Sequence, residues 1–450
     1  MQGLIFTFLV WSVVLAVAVR RDRRGHLFGE ELNLGRERFA VVLLLMGTHT
    51  FASPSGAEEV LSNPLVLERA VRGSLAGLAL VLVMPALLHG LRQPSHKAPR
   101  SGLLALSLYV VVGGLSVIYS VAPVVSAAKV FEVGTGLAIV WVLVLSPDHE
   151  REIKSMIRFI VILEGALVTA AVIGFFLLPG IFANFQFRPG FFLLRTMGAP
   201  YDSSNVLGAS AALVAAFALA SHFEVPDRKA RRQWMVLFLI ASAAIVLASA
   251  RQGVLIWVAS VSVVLWVHRR TLVLLLAPPI GIALVANWNT VWAIFTRDAP
   301  YTASTLTGRF VWWQAAMDAW AVHPWTGYGF GVGGRFVALA NIGRDTFTSV
   351  HSGYLEAMIG VGIVGLIPLA LAVMRAARWS LRNLWRKQST RYAILLVPLL
   401  LHNIVDLGFT AWLKSDFLLF AAIVALADFG LGKRRRRVAV GRSVRTDSSS

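Results

Sequence analysis

The sequence contains no cysteine, and only 14% of its 450 residues are charged. The absence of cysteine excludes a disulfide framework and any metal site built on thiolates. Acidic residues are also few, 23 against 42 lysines and arginines, so the formal net charge is +19. With 57% hydrophobic residues and a mean hydropathy of +0.70, the composition excludes an ordinary soluble domain. It is typical of a protein that crosses a membrane several times.

Long apolar stretches recur along the whole chain. Each approaches the roughly 20 residues that a spanning helix needs, and a backbone in lipid must satisfy its own hydrogen bonds, which favours helices. We therefore predict an all-α, polytopic integral membrane protein with about 12–13 transmembrane helices. The stretches lie near residues 3–19, 39–51, 74–90, 103–119, 130–145, 156–178, 206–222, 234–250, 252–267, 271–286, 353–374, 392–407 and 415–431.

The lysines and arginines are concentrated in alternate loops and in the tail, which carries the run KRRRR at 433–437. The positive-inside rule predicts that these segments are cytoplasmic, so the basic excess requires no nucleic-acid partner. We predict a single transmembrane domain over residues 1–431 and a basic, disordered cytoplasmic tail over 432–450. The N-terminus then lies outside, unless the first or second apolar segment lies along the interface.

Two long loops face the opposite, outer side, at residues 179–205 and 287–352. Long loops in an otherwise compact chain are usually functional, so we expect these two to form the catalytic region. Within the second loop, RFVWWQAAMDAWAV predicts an amphipathic helix that ends at His323-Pro324. Tryptophan favours the bilayer interface, so we expect this helix to lie there. Its predicted apolar face consists of Phe310, Trp313, Met317 and Trp320, with Trp312 beside it.

A glycine-rich segment, GYGFGVGG at 327–334, follows that helix. It is not a phosphate-binding P-loop, because no Lys-Ser/Thr pair follows it and no strand precedes it. Two interpretations stay open. The segment is a flexible turn, or its bare backbone lets a large ligand come close.

Three arginines of the outer side lie in unusual surroundings. Arg195 lies in FFLLRTMGAPYDSSN, Arg251 interrupts the apolar run ASARQGVLIW, and Arg309 begins the aromatic helix. The simpler interpretation is an interfacial anchor, a tight turn or a cation–π contact with a neighbouring tryptophan. The functional one is a phosphate site, because guanidinium binds phosphate oxygens in pairs and stays charged. Three such groups facing one cavity would suit a lipid that carries a diphosphate.

His351 lies where the second loop re-enters the membrane. Histidine titrates near neutrality and can take a proton from a hydroxyl group, although a capping or interfacial role is the alternative. Tyr354 follows by three residues and would share a helical face with it. Asp406 lies at the outer end of an apolar stretch and could orient a base or pair with an arginine. Weaker candidates are His402 (one ligand short of a zinc site with Asp406), Glu58-Glu59 and Glu164.

Four segments of the chain follow one another in a recognisable order. They are RTMGAPYDSSNVLG (195–208), SARQGVL (249–255), TLTGRFVWW…HPWTGYGFG (305–331) and HSGYLEAMIGVGIVGL (351–366). Together they resemble the O-antigen ligase and O-antigen polymerase superfamily of bacterial envelope glycosyltransferases, over roughly residues 110–410. The chain departs from the family pattern at Ala250 and Gln252, which are inserted around Arg251. Ser352 replaces the usual asparagine, and Gly360 stands where a glutamate is frequent, so no role is carried over for that carboxylate.

The resemblance implies a chemistry. A glycan on undecaprenyl diphosphate is transferred to an acceptor hydroxyl at the periplasmic face of the inner membrane, with inversion and without a nucleotide sugar, cofactor or metal. Arg195, Arg251 and Arg309 would bind the diphosphate, and His351 would orient or deprotonate the acceptor. Asp406, Lys129 and Tyr354 would support the site. Besides membrane lipids, the implied partners are the lipid-linked donor and an acceptor.

The acceptor distinguishes the branches of this superfamily. A polymerase extends a lipid-linked repeat unit of O-antigen or exopolysaccharide, whereas a ligase transfers the chain to lipid A–core in lipopolysaccharide biosynthesis. The TLTGR…HPWTGYGFG segment slightly favours a polymerase. A membrane transporter or lipid-binding protein is the third alternative, but it would line a mid-membrane path with charges, whereas the unusual charges of this chain are gathered on the outer side.

Overall fold

The computed structural model describes most of the chain in twelve segments. Its description covers the residues 26–27, 30–31, 35–50, 67–92, 101–178, 183–188, 191–196, 204–248, 250–286, 309–343, 349–410 and 412–430. The first apolar stretch at 3–19, Glu58-Glu59 and the tail at 432–450 lie outside these residues, as do the predictions made for them.

Helices dominate the described part, as predicted. In chain order they are α1 (Arg36–Thr50), α2 (Leu67–Arg92), α3 (Ser101–Leu115), α4 (Pro123–Leu145), α5 (His149–Leu177), α6 (Ser204–Glu224), α7 (Arg228–Ala248), α8 (Arg251–Ala286), α9 (Arg309–Val322), α10 (Gly353–Arg386), α11 (Thr390–Ala393), α12 (Leu396–Val405) and α13 (residues 415–430). A 3₁₀ turn at Ser116–Tyr119 extends α3, and a π-helix at Gly334–Leu339 follows the glycine-rich segment.

Eight of the described helices are long and apolar enough to cross a membrane. They correspond to eight of the predicted stretches, which confirms an all-α polytopic membrane protein. The stretches at 39–51, 392–407 and 415–431 are helical as well but shorter, and 271–286 continues α8 beyond a break at Arg269. Alanine-rich α6 is buried on all sides and packs against α5, α7 and α8, so it forms the centre of the bundle.

Two short antiparallel hairpins accompany the helices. The first pairs β1 (His26–Leu27) with β2 (Glu30–Glu31), and the second pairs β3 (Ala183–Arg188) with β4 (Phe191–Thr196). The second hairpin forms within the loop 179–205, and β4 contacts α5 and α7. The sequence pattern did not predict it, because its aromatic residues favour a strand and a buried helix alike over so few positions.

Helix α10 is broken near its first third, and the glycine-rich segment pairs with the break. Gly362 has a φ of +60°, which interrupts the helix. The backbone N–H groups of Tyr328 and Gly329 donate to the carbonyls of Ile359 and Gly360, at 2.9 Å each. Ile363 N–H donates to the Pro324 carbonyl at 2.9 Å. The carbonyls and N–H groups that the break exposes are thus satisfied by another part of the chain.

Small polar side chains of the α3–α4 region complete the hydrogen bonding of the same segment. Ser116 Oγ accepts from Phe330 N–H at 2.9 Å, and Ser126 Oγ donates to the Phe330 carbonyl at 3.2 Å. Phe330 is 1% exposed and Val332 is fully buried. The glycine-rich segment is therefore a fixed part of the core. The interpretation as a flexible turn is wrong, because the backbone of the segment is hydrogen-bonded to the chain's own helix α10 and to side chains of the α3–α4 region.

Replacement of Gly327 by alanine should destabilise the protein far more than the same replacement at Gly343. Both glycines have nearly the same positive φ, +68° and +67°. A Cβ at Gly327 would lie 2.3 Å from the Ile359 carbonyl oxygen, whereas at Gly343 nothing lies within 4 Å. We expect a loss of about 1 kcal/mol for Gly343→Ala, from backbone strain alone, and about 3 kcal/mol or more for Gly327→Ala. Unfolding of the purified protein in detergent measures both, and equal losses would contradict the close pairing.

The aromatic helix α9 forms as predicted and ends at Val322, before His323-Pro324. Its buried side is formed by Ala315, Ala316 and Ala319, which pack on the segment after the glycines and on α10. Of the predicted apolar face, Phe310 and Met317 are exposed, at 52% and 41%. The small alanines let α9 approach its neighbours closely, and these two side chains lie on the other side of the helix.

Candidate functional site

The site is assembled where α12 ends and α10 begins. Asp406 directly follows α12, its carbonyl accepts from Gly353 N–H at 3.0 Å, and its side chain accepts from Leu407 N–H at 2.8 Å. Thr410 Oγ1 donates to the Gly353 carbonyl at 2.7 Å. A Cβ at Gly353 would lie 2.1 Å from the side-chain oxygen of Asn403, so only glycine fits there. These contacts fix Asp406 beside the first turn of α10.

His351 lies two residues before α10 and faces Asp406. Its Nδ1 is 3.2 Å from Asp406 Oδ1, and its ring stacks on Trp312 of α9 with the centroids 5.3 Å apart. Trp313 Nε1 donates to the Val350 carbonyl at 3.0 Å, so both tryptophans hold this segment. The backbone of His351 has a φ of +48°, an unfavourable value for a residue with a side chain. Such strain is tolerated where the surroundings over-determine the conformation, and it is frequent at functional sites.

Trp312 and Trp313 thus contact the candidate site, a role that the sequence did not predict. The aromatic residues of α9 predicted that this helix lies along the bilayer interface. The exposed fractions of Phe310 and Met317 are compatible with that position. Trp312 and Trp313 instead contact the segment of His351. The sequence separation between α9 and His351 concealed this contact.

Arg309 reaches the same carboxylate through a glutamine. Its Nη2 donates to Gln252 Oε1 at 3.2 Å, and Gln252 Nε2 donates to Asp406 Oδ2 at 3.1 Å. Gln252 and Asp406 are 5% and 7% exposed. A continuous chain of hydrogen bonds, which we term the relay, thus runs from Arg309 through Gln252 and Asp406 to His351. Four residues distant in sequence meet here because the N-termini of α8, α9 and α10 and the C-terminus of α12 lie at the same place.

Burial and charge act on the ionisable groups of the relay. Burial lowers the pKa of Arg309, and the charge of Asp406 opposes this change. A guanidinium nevertheless stays protonated, because its ordinary pKa lies far above neutrality. Burial raises the pKa of Asp406, but the hydrogen bond and charge of His351 hold it well below its usual range. Asp406 is therefore a carboxylate, which favours a proton on Nδ1 of His351 and leaves Nε2 as an acceptor.

Arg251 begins α8, next to the relay glutamine. The N-terminus of α8 approaches α6 closely, since a Cβ at Gly253 would lie 2.9 Å from the backbone of Gly208. Both glycines belong to segments that carried the family resemblance, and this crossing brings those segments together. Arg251 is partly buried. Gln252, the next residue in the chain, accepts a hydrogen bond from Arg309, so Arg251 lies next to the relay in sequence.

Arg195 lies on β4, where its backbone is opposite Asn184 of β3. The side chain of Arg195 lies outside the described part of the structure. The hairpin contacts α5 and α7, and α7 leads directly into the segment that holds Arg251. The participation of Arg195 remains a prediction from the sequence.

Lys129 lies at the glycine-rich segment rather than in the relay. Its Nζ donates to the Gly331 carbonyl and lies 4.2 Å from the centre of the Trp412 ring. Arg72 also approaches that ring, at 5.6 Å, and forms a two-point ion pair with Glu132 at 2.6 Å. The described contacts of Lys129 thus stabilise the glycine-rich segment. Lys129 would support the site only through that segment.

Two pairings expected from helical spacing are different in the structure. His351 precedes α10, which begins at Gly353, so the three-residue spacing does not align it with Tyr354. Tyr354 packs edge-on against Phe409, 6.3 Å between ring centres. His402 pairs with Asp416 at 2.5 Å instead of acting with Asp406. Glu164 is buried, with 1% exposed.

Sequence reasoning missed two polar residues near the site. Gln252 appears in the sequence only as an insertion in a family motif, because a neutral amide in an apolar run costs less than the arginine beside it and is a weaker signal. Glu356 lies five residues after His351, a spacing that would put it on another face of a helix beginning there. The structure buries it, at 1% exposed, against Gly334.

The described architecture defines a class: a multi-pass membrane protein with a buried guanidinium–amide–carboxylate–imidazole relay at helix ends. Residues 204–370 match the family model described as O-antigen ligase. The match confirms the resemblance to the O-antigen ligase and polymerase superfamily, and it indicates a glycosyltransferase-type activity on lipid-linked glycans. It includes Arg251, Arg309 and His351, whereas Arg195 and Asp406 lie outside it. No curated protein gave a significant match to the chain.

Proposed function

We propose that this protein transfers a glycan from undecaprenyl diphosphate to an acceptor hydroxyl at the periplasmic face of a bacterial inner membrane. The relay is the observation that carries the proposal. It combines a cation suited to phosphate with an imidazole suited to proton transfer, and it joins them through 3.2, 3.1 and 3.2 Å hydrogen bonds. The two loops at 179–205 and 287–352 contribute Arg195, Arg309 and His351, and we assign the catalytic region to them.

His351 is the proposed base. With Nδ1 held by Asp406, its Nε2 takes the proton of the acceptor hydroxyl as the oxygen attacks the anomeric carbon. The carboxylate orients the ring and stabilises the imidazolium that forms, as in other carboxylate–histidine pairs. Stacking on Trp312 limits rotation of the ring. Tyr354 and Lys129 support this arrangement through packing and through the glycine-rich segment.

The arginines are the proposed binding groups for the leaving diphosphate. As the bond between the anomeric carbon and the diphosphate oxygen breaks, negative charge grows on the diphosphate, and guanidinium groups stabilise it. Arg309 is partly buried, which strengthens such an interaction. Arg251 and Arg195 complete the proposed set. Attack from the opposite side in one displacement inverts the anomeric configuration, and the arginines supply positive charge without a metal.

The proposed acceptor is a lipid-linked repeat unit, which makes the protein a polysaccharide polymerase, and lipid A–core is the second candidate. Deletion of the gene distinguishes the two by gel analysis of the surface glycan. A single repeat unit on the core identifies a polymerase. A bare core with lipid-linked polymer accumulating identifies a ligase. A surface glycan identical to that of the wild type would overturn the proposed function.

A further inference from the structure

Gln252 is the one uncharged member of the relay. Its side chain fills the space between Arg309 of α9 and Asp406 after α12, and it is 5% exposed. Neither neighbour is adjacent to it in sequence. The residue is one of those by which the chain departs from its family pattern, so its role has to be inferred from its contacts.

The chemistry of the two neighbours determines the orientation of the amide. A guanidinium only donates hydrogen bonds and a carboxylate only accepts them. The amide must therefore direct Oε1 to Arg309 and Nε2 to Asp406, because the reverse orientation would set donor against donor and acceptor against acceptor. No other uncharged side chain of this length offers one acceptor and one donor at its tip.

We infer that Gln252 is a positioning residue that joins Arg309 to the Asp406–His351 pair while it prevents a direct ion pair between the guanidinium and the carboxylate. This inference rests on the proposed function, in which Arg309 binds the donor and His351 activates the acceptor. Gln252 would hold the donor site and the base at a fixed separation.

The separation has an electrostatic consequence. A direct Arg309–Asp406 pair would compensate both charges, and each partner would lose part of its attraction for a third group. A neutral amide leaves the positive charge of Arg309 for a diphosphate and the negative charge of Asp406 for the imidazole. Both hydrogen bonds of the amide also involve a charged partner, which makes them stronger than neutral ones.

Two substitutions test this role. Gln252→Glu retains the shape and an acceptor for Arg309, but it sets a second carboxylate against Asp406. Gln252→Met retains the unbranched shape and removes both hydrogen bonds. The matched controls are Gln388→Glu and Gln388→Met, because Gln388 is an exposed glutamine after α10. All variants are measured as the full chain in native membranes, and thermal unfolding reports how much of each is folded.

The first measurement is independent of turnover. Diethyl pyrocarbonate modifies unprotonated histidine, and the side chain of His351 is 20% exposed. Mass spectrometry of the peptide that contains His351 gives the pH of half-maximal modification. The additional carboxylate in Gln252→Glu stabilises the imidazolium, so this midpoint should rise by about one pH unit. The Gln388→Glu variant should keep the wild-type midpoint.

The second measurement uses an undecaprenyl-diphosphate-linked glycan as the donor. Gln252→Glu should raise the donor KM roughly tenfold or more, because its new charge competes for Arg309. Gln252→Met should lower kcat/KM in the wild type but change little in an Arg309→Ala background, since the two residues act through one interaction.

The outcomes separate the inference from the function on which it rests. An unchanged His351 midpoint in Gln252→Glu, or effects of Gln252→Met and Arg309→Ala that simply multiply, would overturn the role of Gln252 even if the wild type is active. A raised midpoint in a protein that never uses the diphosphate donor would support the charge arrangement and reject the proposed function alone.

Discussion

Arg309→Ala should lower kcat/KM for a polyprenyl-diphosphate-linked donor by roughly 10²–10³-fold, the usual cost of removing one group that stabilises developing charge. The guanidinium is partly buried and its partner in the relay is a neutral amide, so its positive charge is not neutralised there and its removal takes that charge from the donor site. Arg309→Lys should recover only part of the loss, since an ammonium cannot bind two phosphate oxygens in a plane. Turnover of donor by purified protein measures both variants.

The control for Arg309 is Arg228→Ala. Arg228 is an exposed arginine at the start of α7. The same change of charge at that position should leave kcat/KM within about twofold of the wild type, as is usual for surface substitutions. Full restoration of the surface glycan in a deletion strain by Arg309→Ala would contradict the assignment of Arg309 to the donor site.

Asp406→Asn should reduce kcat by roughly 10²–10⁴-fold, a loss comparable to that from His351→Ala. Asparagine retains the shape of the side chain, but its amide can donate to Nδ1 and so favour the tautomer whose Nε2 is protonated. That nitrogen then cannot take the proton of the acceptor. The double variant should be little worse than either single one, because the two residues act as a unit.

The chain provides a matched pair for this experiment. His402 and Asp416 form a second buried carboxylate–histidine contact, at 2.5 Å, outside the relay. Asp416→Asn should lower the free energy of unfolding, as loss of a buried hydrogen bond does, but kcat per folded molecule should not change. If Asp416→Asn abolished turnover and Asp406→Asn did not, the relay would not be the catalytic centre.

The spanning helices were predictable from the sequence because lipid gives an apolar segment no alternative to internal hydrogen bonding. Stretches such as 103–119 and 206–222 therefore predict a helix whatever packs against them. The hairpin at 183–196 was not predictable, since two six-residue strands carry too few positions for periodicity to identify them. The break at Gly362 was also hidden, because a glycine within an apolar helix is usually tolerated.

Most residues of the site could be predicted from the sequence, whereas the hydrogen bonds between them could not. Arg309 was predicted as a phosphate-binding cation, His351 as a base, and Asp406 as a group that orients a base or pairs with an arginine. The hydrogen bonds that join them were beyond reach, and so was Gln252, because a glutamine becomes informative only when its two neighbours are known. The pairing of His402 with Asp416 shows the same limit. Helical spacing relates residues on one helix, whereas a side chain bonds to whichever helix lies beside it.

By itself, the sequence determined that this protein spans a membrane and which kinds of chemical group its site contains. The lengths of the apolar stretches, the basic loops and the isolated arginines follow from residue types and their order along the chain, and they do not depend on how the helices pack. Only the tertiary structure decided which polar groups meet. The relay joins residues 252, 309, 351 and 406, and the glycine-rich segment closes a helix break some 30 residues away. Such contacts depend on how helices cross, which is set by close packing of the entire bundle and not by any one segment.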